Sequence, residues 1–199
     1  MSSLAIPAAT TRTATQGRVL ADRFGGTLTR DIALTAAGTA VLTLFAQIVV
    51  PLPFTPVPVS LATLGALVVG TTLGMRRGAL AALGYLLLGV VGAPVFSGDN
   101  QGWAFASFGY IVGYIAVAAV SGRLAERGAD RNIVTMLGSA LVASASVYVF
   151  GLAWMIPFAE MTLTEGLSKG LVPFLIGDAV KIAVAAGVFP ALNALIGRR

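Results

Sequence analysis

From Ile133 to Ile156 the chain runs without one charged side chain. A stretch of that length supplies the roughly 20 apolar residues that a helix needs to cross a bilayer. In lipid every backbone N–H and C=O must be satisfied within the structure itself, so such a segment can only be a helix or part of a closed barrel. Five more apolar runs accompany it: Ile32 to Val50, Leu61 to Leu73, Ala79 to Val91, Trp103 to Val120 and Leu171 to Ile196. At 57% hydrophobic and 11% charged over 199 residues, the chain lies far from the roughly 25% charged usage of soluble domains. The expected fold is therefore all-α, an integral membrane bundle of six transmembrane helices over residues 31–199. Residues 1–30, rich in Ser, Thr, Ala and Gly and without the apolar core of a signal peptide, are expected to be a cytoplasmic tail. An interfacial helix is expected in it near Val19 to Phe24.

The second and third runs are shorter than a full crossing, so they borrow flanking residues, are partly re-entrant, or are shielded by neighbours. Orientation follows from the arginines. Arg12, Arg18, Arg23 and Arg30 lie in the tail, Arg76 and Arg77 between spans two and three, Arg123, Arg127 and Arg131 between four and five, and Arg198 and Arg199 at the end. All fall on one side if six spans alternate. The opposite links hold Asp99, Glu160 and Glu165, with Lys169 as their one basic residue. The positive-inside rule then places both termini in the cytoplasm of a multi-pass cell-membrane protein.

Several chemistries are excluded. The chain has no cysteine and no histidine, which removes thiol nucleophiles, Cys/His zinc sites and histidine acid–base catalysis. No GxxxxGK[ST] occurs, so ATP is not handled by a P-loop of this chain. No metal, no cofactor and no enzymatic activity are expected. The net charge of +5 is dispersed near span ends, which does not fit a nucleic-acid surface.

Against that background Asp178 and Lys181 stand out. They are three residues apart in the last apolar run, so on a helix they share a face. Each charge near the bilayer centre costs roughly 2.5 to 3.5 kcal/mol, so it persists only where it pairs, meets water or meets a polar ligand. An ion pair that only neutralises itself and a proton relay are the other readings of the pair. The outward links suit a ligand site. PLPFTPVPVS carries Pro51, Pro53, Pro56 and Pro58, lacks their amide donors and should be a stiff extended lid. PVFSGDNQG groups Asp99, Asn100 and Gln101 beside Trp103, giving polar groups next to an aromatic wall. Tyr85, Phe96, Tyr110, Tyr114 and Trp154 either extend that wall or form an interfacial belt. In span one Ala33 and Ala37, and again Ala36 and Ala40, are spaced small-xxx-small, which fits internal packing or a docking face for a partner. Glycines of spans two and three mark close helix packing.

The segment from Gln47 to Phe96, QIVVPLPFTPVPVSLATLGALVVGTTLGMRRGALAALGYLLLGVVGAPVF, together with PFLIGDAVK at 173–181, resembles the BioY family. These are the biotin-specific substrate-binding membrane subunits, or S components, of energy-coupling factor (ECF) transporters, and the resemblance runs from about residue 31 to the end. It implies a six-helix bundle holding the vitamin near the extracellular side, under the first outward link and against the loop between spans three and four and the last span. The family's G-D-x-x-K matches Gly177, Asp178 and Lys181. Asp178 then suits the ureido N–H donors, and Lys181 suits either the ureido oxygen or the valerate carboxylate. The remaining ligand-contact candidates are Asn100, Trp103, Tyr85, Phe54, Thr55 and Gln47. Many family members carry a GPTGGY-like motif where this chain has SGDNQGWAFASFGYIVGY, which leaves the polar role open among Asp99, Asn100 and Gln101. Asn100 is favoured because a neutral amide both donates and accepts. The small-residue face of Ala33, Ala36, Ala37 and Ala40 matches the place where S components dock onto the transmembrane coupling subunit, which works with a pair of ABC ATPases. A stand-alone secondary biotin transporter and an S component for another vitamin are the alternatives.

Overall fold

The computed structural model describes residues 19–24, 27–98 and 100–197. Among them are seven α-helices: α1 (Leu28–Gln47), α2 (Ala62–Leu73), α3 (Met75–Val90), α4 (Phe108–Glu126), α5 (Ile133–Phe158), α6 (Leu163–Gly170) and α7 (Leu175–Gly197). Two short strands, β1 (Val49–Val50) and β2 (Val59–Ser60), pair antiparallel with Val49 opposite Ser60. Arg12, Arg18, Asp99, Arg198 and Arg199 lie outside the described residues.

Helix α1 starts where the side chain of Thr27 accepts from the Arg30 amide at 3.3 Å, which satisfies one orphan donor of the first turn. It stops at Gln47, short of the expected Val50, because Ile48 turns extended and leads into β1. Pairing ends after two residues on each side because the intervening prolines cannot donate to a ladder. Helices α2 and α3 form a tight hairpin through a single residue: Gly74 is both the last cap of α2 and the first cap of α3, at φ 85°. That backbone angle belongs to glycine. The carboxylate of Glu126, at the end of α4, accepts from the Met75 amide at 2.9 Å and closes the turn.

Helix α4 is the axis of the bundle. It packs on α2, α3 and α5, while α1 packs on α2 and α3, and α7 on α5. Glycine permits the closest of these contacts. A Cβ on Gly122 of α4 would stand 2.5 Å from the backbone at Gly74 and Met75, so the hairpin and α4 touch main chain to main chain. At 12 residues, or about 18 Å, α2 is too short to cross a hydrocarbon core of about 30 Å. Its buried positions run from Ala62 to Leu73, so neighbours rather than lipid surround it. Among the described residues four stretches are long and apolar enough to cross: α1, α4, α5 and Leu163–Leu195, which takes in α6 and most of α7.

Helix α6 was not anticipated; the sequence reading leaves 163–170 as a polar outward link. A capping box builds it, with Thr162 and Glu165 each satisfying the other's backbone. The 3-10 turn at Leu20–Phe24 occupies the expected interfacial segment, and α1 begins at Leu28. Three ion pairs and an amide–carboxylate hydrogen bond gather at one end of the bundle. Arg77 binds Asp22 at 2.6 Å and Asp31 at 3.0 Å, Arg123 binds Glu126 at 3.2 Å, and Asn193 near the end of α7 donates to Asp130 at 2.8 Å. The start of α1, the α2/α3 turn, the α4/α5 link and the end of α7 therefore share that end.

Candidate functional site

At the opposite end, between the strand pair, the loop after α3 and the starts of α4 and α7, lies a cavity. Asp178 and Lys181 are both 7% exposed and project into it from the first half of α7. The ammonium of Lys181 donates to Oδ1 of Asp178 at 2.9 Å. The hydroxyl of Tyr148, reaching across from α5, donates to Oδ2. A buried pair of this kind holds its desolvation cost in check only with good geometry and further hydrogen bonds, and here both carboxylate oxygens have a partner.

The rest of the wall is aromatic with scattered hydroxyls. Tyr85 of α3 meets Phe96 edge-on at 5.2 Å between ring centroids and Tyr114 of α4 at 6.3 Å. Phe96 continues to Phe105 at 5.9 Å. Phe96, Phe105 and Asn100, whose amide donates to the Ser97 carbonyl at 3.0 Å, carry the wall into the loop after α3. Val57, Pro58 and Ser60 close it on the side of the proline link, and Thr63 joins from α2. Tyr110 of α4 donates to the Gly170 carbonyl at 2.7 Å and so fixes the end of α6 against the cavity. The free volume is about 40 Å³, room for roughly three water molecules and well under the roughly 300 to 1,000 Å³ of small-molecule sites. A ligand larger than water enters only if a wall moves.

Of the eight ligand-contact candidates from the sequence, Asp178, Lys181, Asn100 and Tyr85 line this cavity together, as do Phe96, Tyr110 and Tyr114 of the expected aromatic wall. Four others stand outside its lining. Trp103 is exposed and meets Trp154 edge-on at 6.3 Å. Phe54 is exposed on the proline link. The hydroxyl of Thr55 donates to the Lys169 carbonyl at 2.7 Å, tying the link to α6. The side-chain amide of Gln47 donates to the carbonyls of Val95 and Phe96 at 2.9 and 3.3 Å, which holds the loop after α3 to the end of α1. Gln47 and Thr55 thus frame the site through backbone atoms. Gln101 is exposed.

Tyr148, Ser60 and Thr63 were missed. A tyrosine in the middle of a charge-free run was the available signal for Tyr148, since its hydroxyl must find a partner there. Ser60 and Thr63 carry no such mark, because small hydroxyls satisfy themselves within helices and turns.

The alanines of span one are on the outside of the bundle. Ala33, Ala36, Ala37 and Ala40 are exposed, while Gly38, Leu42 and Ala46 face inward. Only 17% of the apolar window of α1 is buried, so this helix presents most of its surface to whatever surrounds the protein.

Comparison with known proteins gives a consistent set of likenesses. The BioY family model matches residues 11–198. A "Biotin transporter BioY" from Rhizobium etli is 36% identical over 169 residues, covering 79% of this chain and 90% of that protein. A protein of the same name from Thermotoga maritima is 33% identical, covering 74% of this chain and 86% of that one. A crystal structure of "the S-component for biotin from an ECF-type ABC transporter" superposes with a TM-score of 0.73 at 23% identity, over 83% of this chain and 92% of that chain. That likeness bears on the fold.

Proposed function

Because this chain belongs to the BioY family, we propose that it captures biotin from the extracellular side and delivers it for uptake as the substrate-binding subunit of an ECF-type ABC transporter. It is a multi-pass protein of the cell membrane, with both termini and the arginine cluster on the cytoplasmic side. The observation that carries this reading is the Asp178–Lys181 pair, held at 2.9 Å inside a cavity at the end of the bundle away from the arginines. An acceptor-only carboxylate and an ammonium with three donors suit a small ligand that presents both N–H and oxygen. The tyrosine and phenylalanine wall suits the bicyclic body of biotin, which is rigid and loses little conformational entropy on binding.

Binding begins with the ligand entering from outside and ends with it enclosed by the proline link. With about 40 Å³ of free volume, the enclosed state has to open first. The proline link is the element that moves, swinging away from α6 at the hydrogen bond from Thr55 to the Lys169 carbonyl. Release to the inside is the work of the partners: a transmembrane coupling subunit docked on Ala33, Ala36, Ala37 and Ala40 of α1, and a pair of ABC ATPases that supply the energy. The chain itself has no P-loop to do so.

The direct test is purification in mild detergent from cells grown with biotin, followed by release of bound small molecules. Biotin should copurify in near-stoichiometric amount and be displaced by excess biotin but not by thiamine. A preparation that neither carries biotin nor binds it when added would end this reading. Uptake in cells without any coupling module, following the ion gradient, would favour a stand-alone transporter over an S component.

A further inference from the structure

We propose that Tyr148 is a positioning residue for ligand recognition: it sets the direction in which Asp178 offers its carboxylate, and thereby the preference for a ligand head with a correctly placed N–H. The inference rests on the binding site proposed above and adds a residue outside the G-D-x-x-K motif.

An ionised carboxylate has about four lone-pair directions and no donor. In Asp178 one direction on Oδ1 is taken by Lys181 at 2.9 Å and one on Oδ2 by the Tyr148 hydroxyl. The two contacts come from different helices, Lys181 from the same turn of α7 and Tyr148 from α5. The carboxylate plane is therefore defined by two anchors rather than left to rotate about its last bond. One lone pair per oxygen remains for a ligand. Without the tyrosine hydroxyl the ammonium can draw in both oxygens, and the direction facing the cavity is lost.

Tyr148 is itself held in place. Its ring meets Tyr110 edge-on at 6.3 Å and an interplanar angle of 89°. Tyr110 is anchored by its 2.7 Å hydrogen bond to the Gly170 carbonyl, and it lies so close to Gly151 that no Cβ would fit there. The chain of contacts from the end of α6 through Tyr110 and Tyr148 to Asp178 gives the acceptor a rigid support, which recognition by hydrogen bonds requires.

The test compares the unmodified protein and Tyr148→Phe, which keeps the ring and its contact with Tyr110. Dissociation constants in detergent are measured for biotin and for the two singly N-methylated biotins. Loss of a hydrogen bond that orients a charged acceptor should weaken biotin by about tenfold. The methylated isomer that no longer presents an N–H to Asp178 should lose little or nothing on the same substitution, so the preference for biotin over that isomer shrinks. An equal loss for all three ligands, or no loss for biotin, overturns the role of Tyr148, because a residue that only supports the wall affects every ligand alike. Should the phenylalanine variant melt far below the unmodified protein, Tyr148→His, which retains a ring donor, is measured in its place and should restore most of the preference. Failure of the unmodified protein to bind biotin would instead overturn the site proposal itself, and the two failures are distinct.

Discussion

Among single residues, the decisive ones are a carboxylate and an ammonium kept where charge is expensive. Asp178→Asn leaves Lys181 buried without its counterion, and Lys181→Ala leaves Asp178 in the same position; removing one partner of a buried pair destabilises by about 3 to 5 kcal/mol. Both variants should lower the melting temperature in detergent and, on the proposed site, weaken biotin by at least about tenfold through the loss of a charge-assisted contact. A lost affinity alone does not separate the two effects. The double variant Asp178→Asn/Lys181→Met does, because exchanging a whole buried pair for neutral groups is often neutral for stability. Its melting temperature should recover most of what each single change loses, while biotin binding stays weak; recovery of binding as well would mean that the pair serves only the fold. These two residues were legible in the sequence because a charge in an apolar run demands an explanation. Tyr148 was less so, since a phenol is tolerated at span ends and on bundle faces alike. Gln47 opened the recognisable segment and Thr55 lay inside its proline motif, but which atoms they bind was not legible. A side-chain amide or hydroxyl in a link serves a ligand or a neighbouring carbonyl equally well, and only the folded backbone brings the carbonyls of Val95, Phe96 and Lys169 within reach.

Secondary-structure elements divide into those that build the cavity and one that faces away from it. Helix α1 turns Gly38 inward, where a Cβ would come within 2.9 Å of Ala81, and turns Ala33, Ala36, Ala37 and Ala40 outward. Small side chains on an outer face let a second helix approach closely. Ala37→Trp should therefore leave biotin affinity in detergent unchanged, because α1 reaches the cavity only through the Gln47 end. It should abolish uptake that depends on the coupling module and copurification with the coupling subunit. Measured together, binding and uptake give opposite answers for this variant, and a joint loss would move the docking face elsewhere. The long helices were legible from hydropathy to within four residues at each end, since length and absence of charge mark a helix in lipid. The exception is α4, which runs Phe108–Glu126 rather than Trp103 to Val120, because the loop after α3 keeps Trp103 and the charged end of the helix continues past Val120. Helix α6 was not legible, because its eight residues carry both polar and apolar positions and sit between two longer apolar runs. Its signature was present in the capping pair Thr162 and Glu165, which speaks for a helix start but not for how far the helix continues.

Among the described residues the molecule is polar along its axis: Arg77 and Arg123, the α2/α3 turn, the start of α1 and the end of α7 lie at one pole, and the cavity at the other. Among the described residues Arg77, Arg123, Asp22, Asp31 and Glu126 form one charged layer, and Asn193 joins the α4/α5 link to α7 at the same level. The side of the membrane that each pole faces decides whether the protein captures its ligand or releases it. The positive-inside rule gives the arginine pole to the cytoplasm. The chain has no cysteine, so a single introduced thiol reports its own position without background. Thr164→Cys lies on the exposed surface of α6 near the cavity, and Arg127→Cys is exposed at the arginine pole. In intact cells a membrane-impermeant maleimide should label position 164 and leave 127 untouched until the membrane is permeabilised. Adding biotin should slow the labelling at 164, since closing the proline link over the ligand seats the link against α6 through the Thr55 contact with Lys169. The reverse pattern, with 127 labelled from outside, would point the cavity inward and make capture from the medium impossible for this chain.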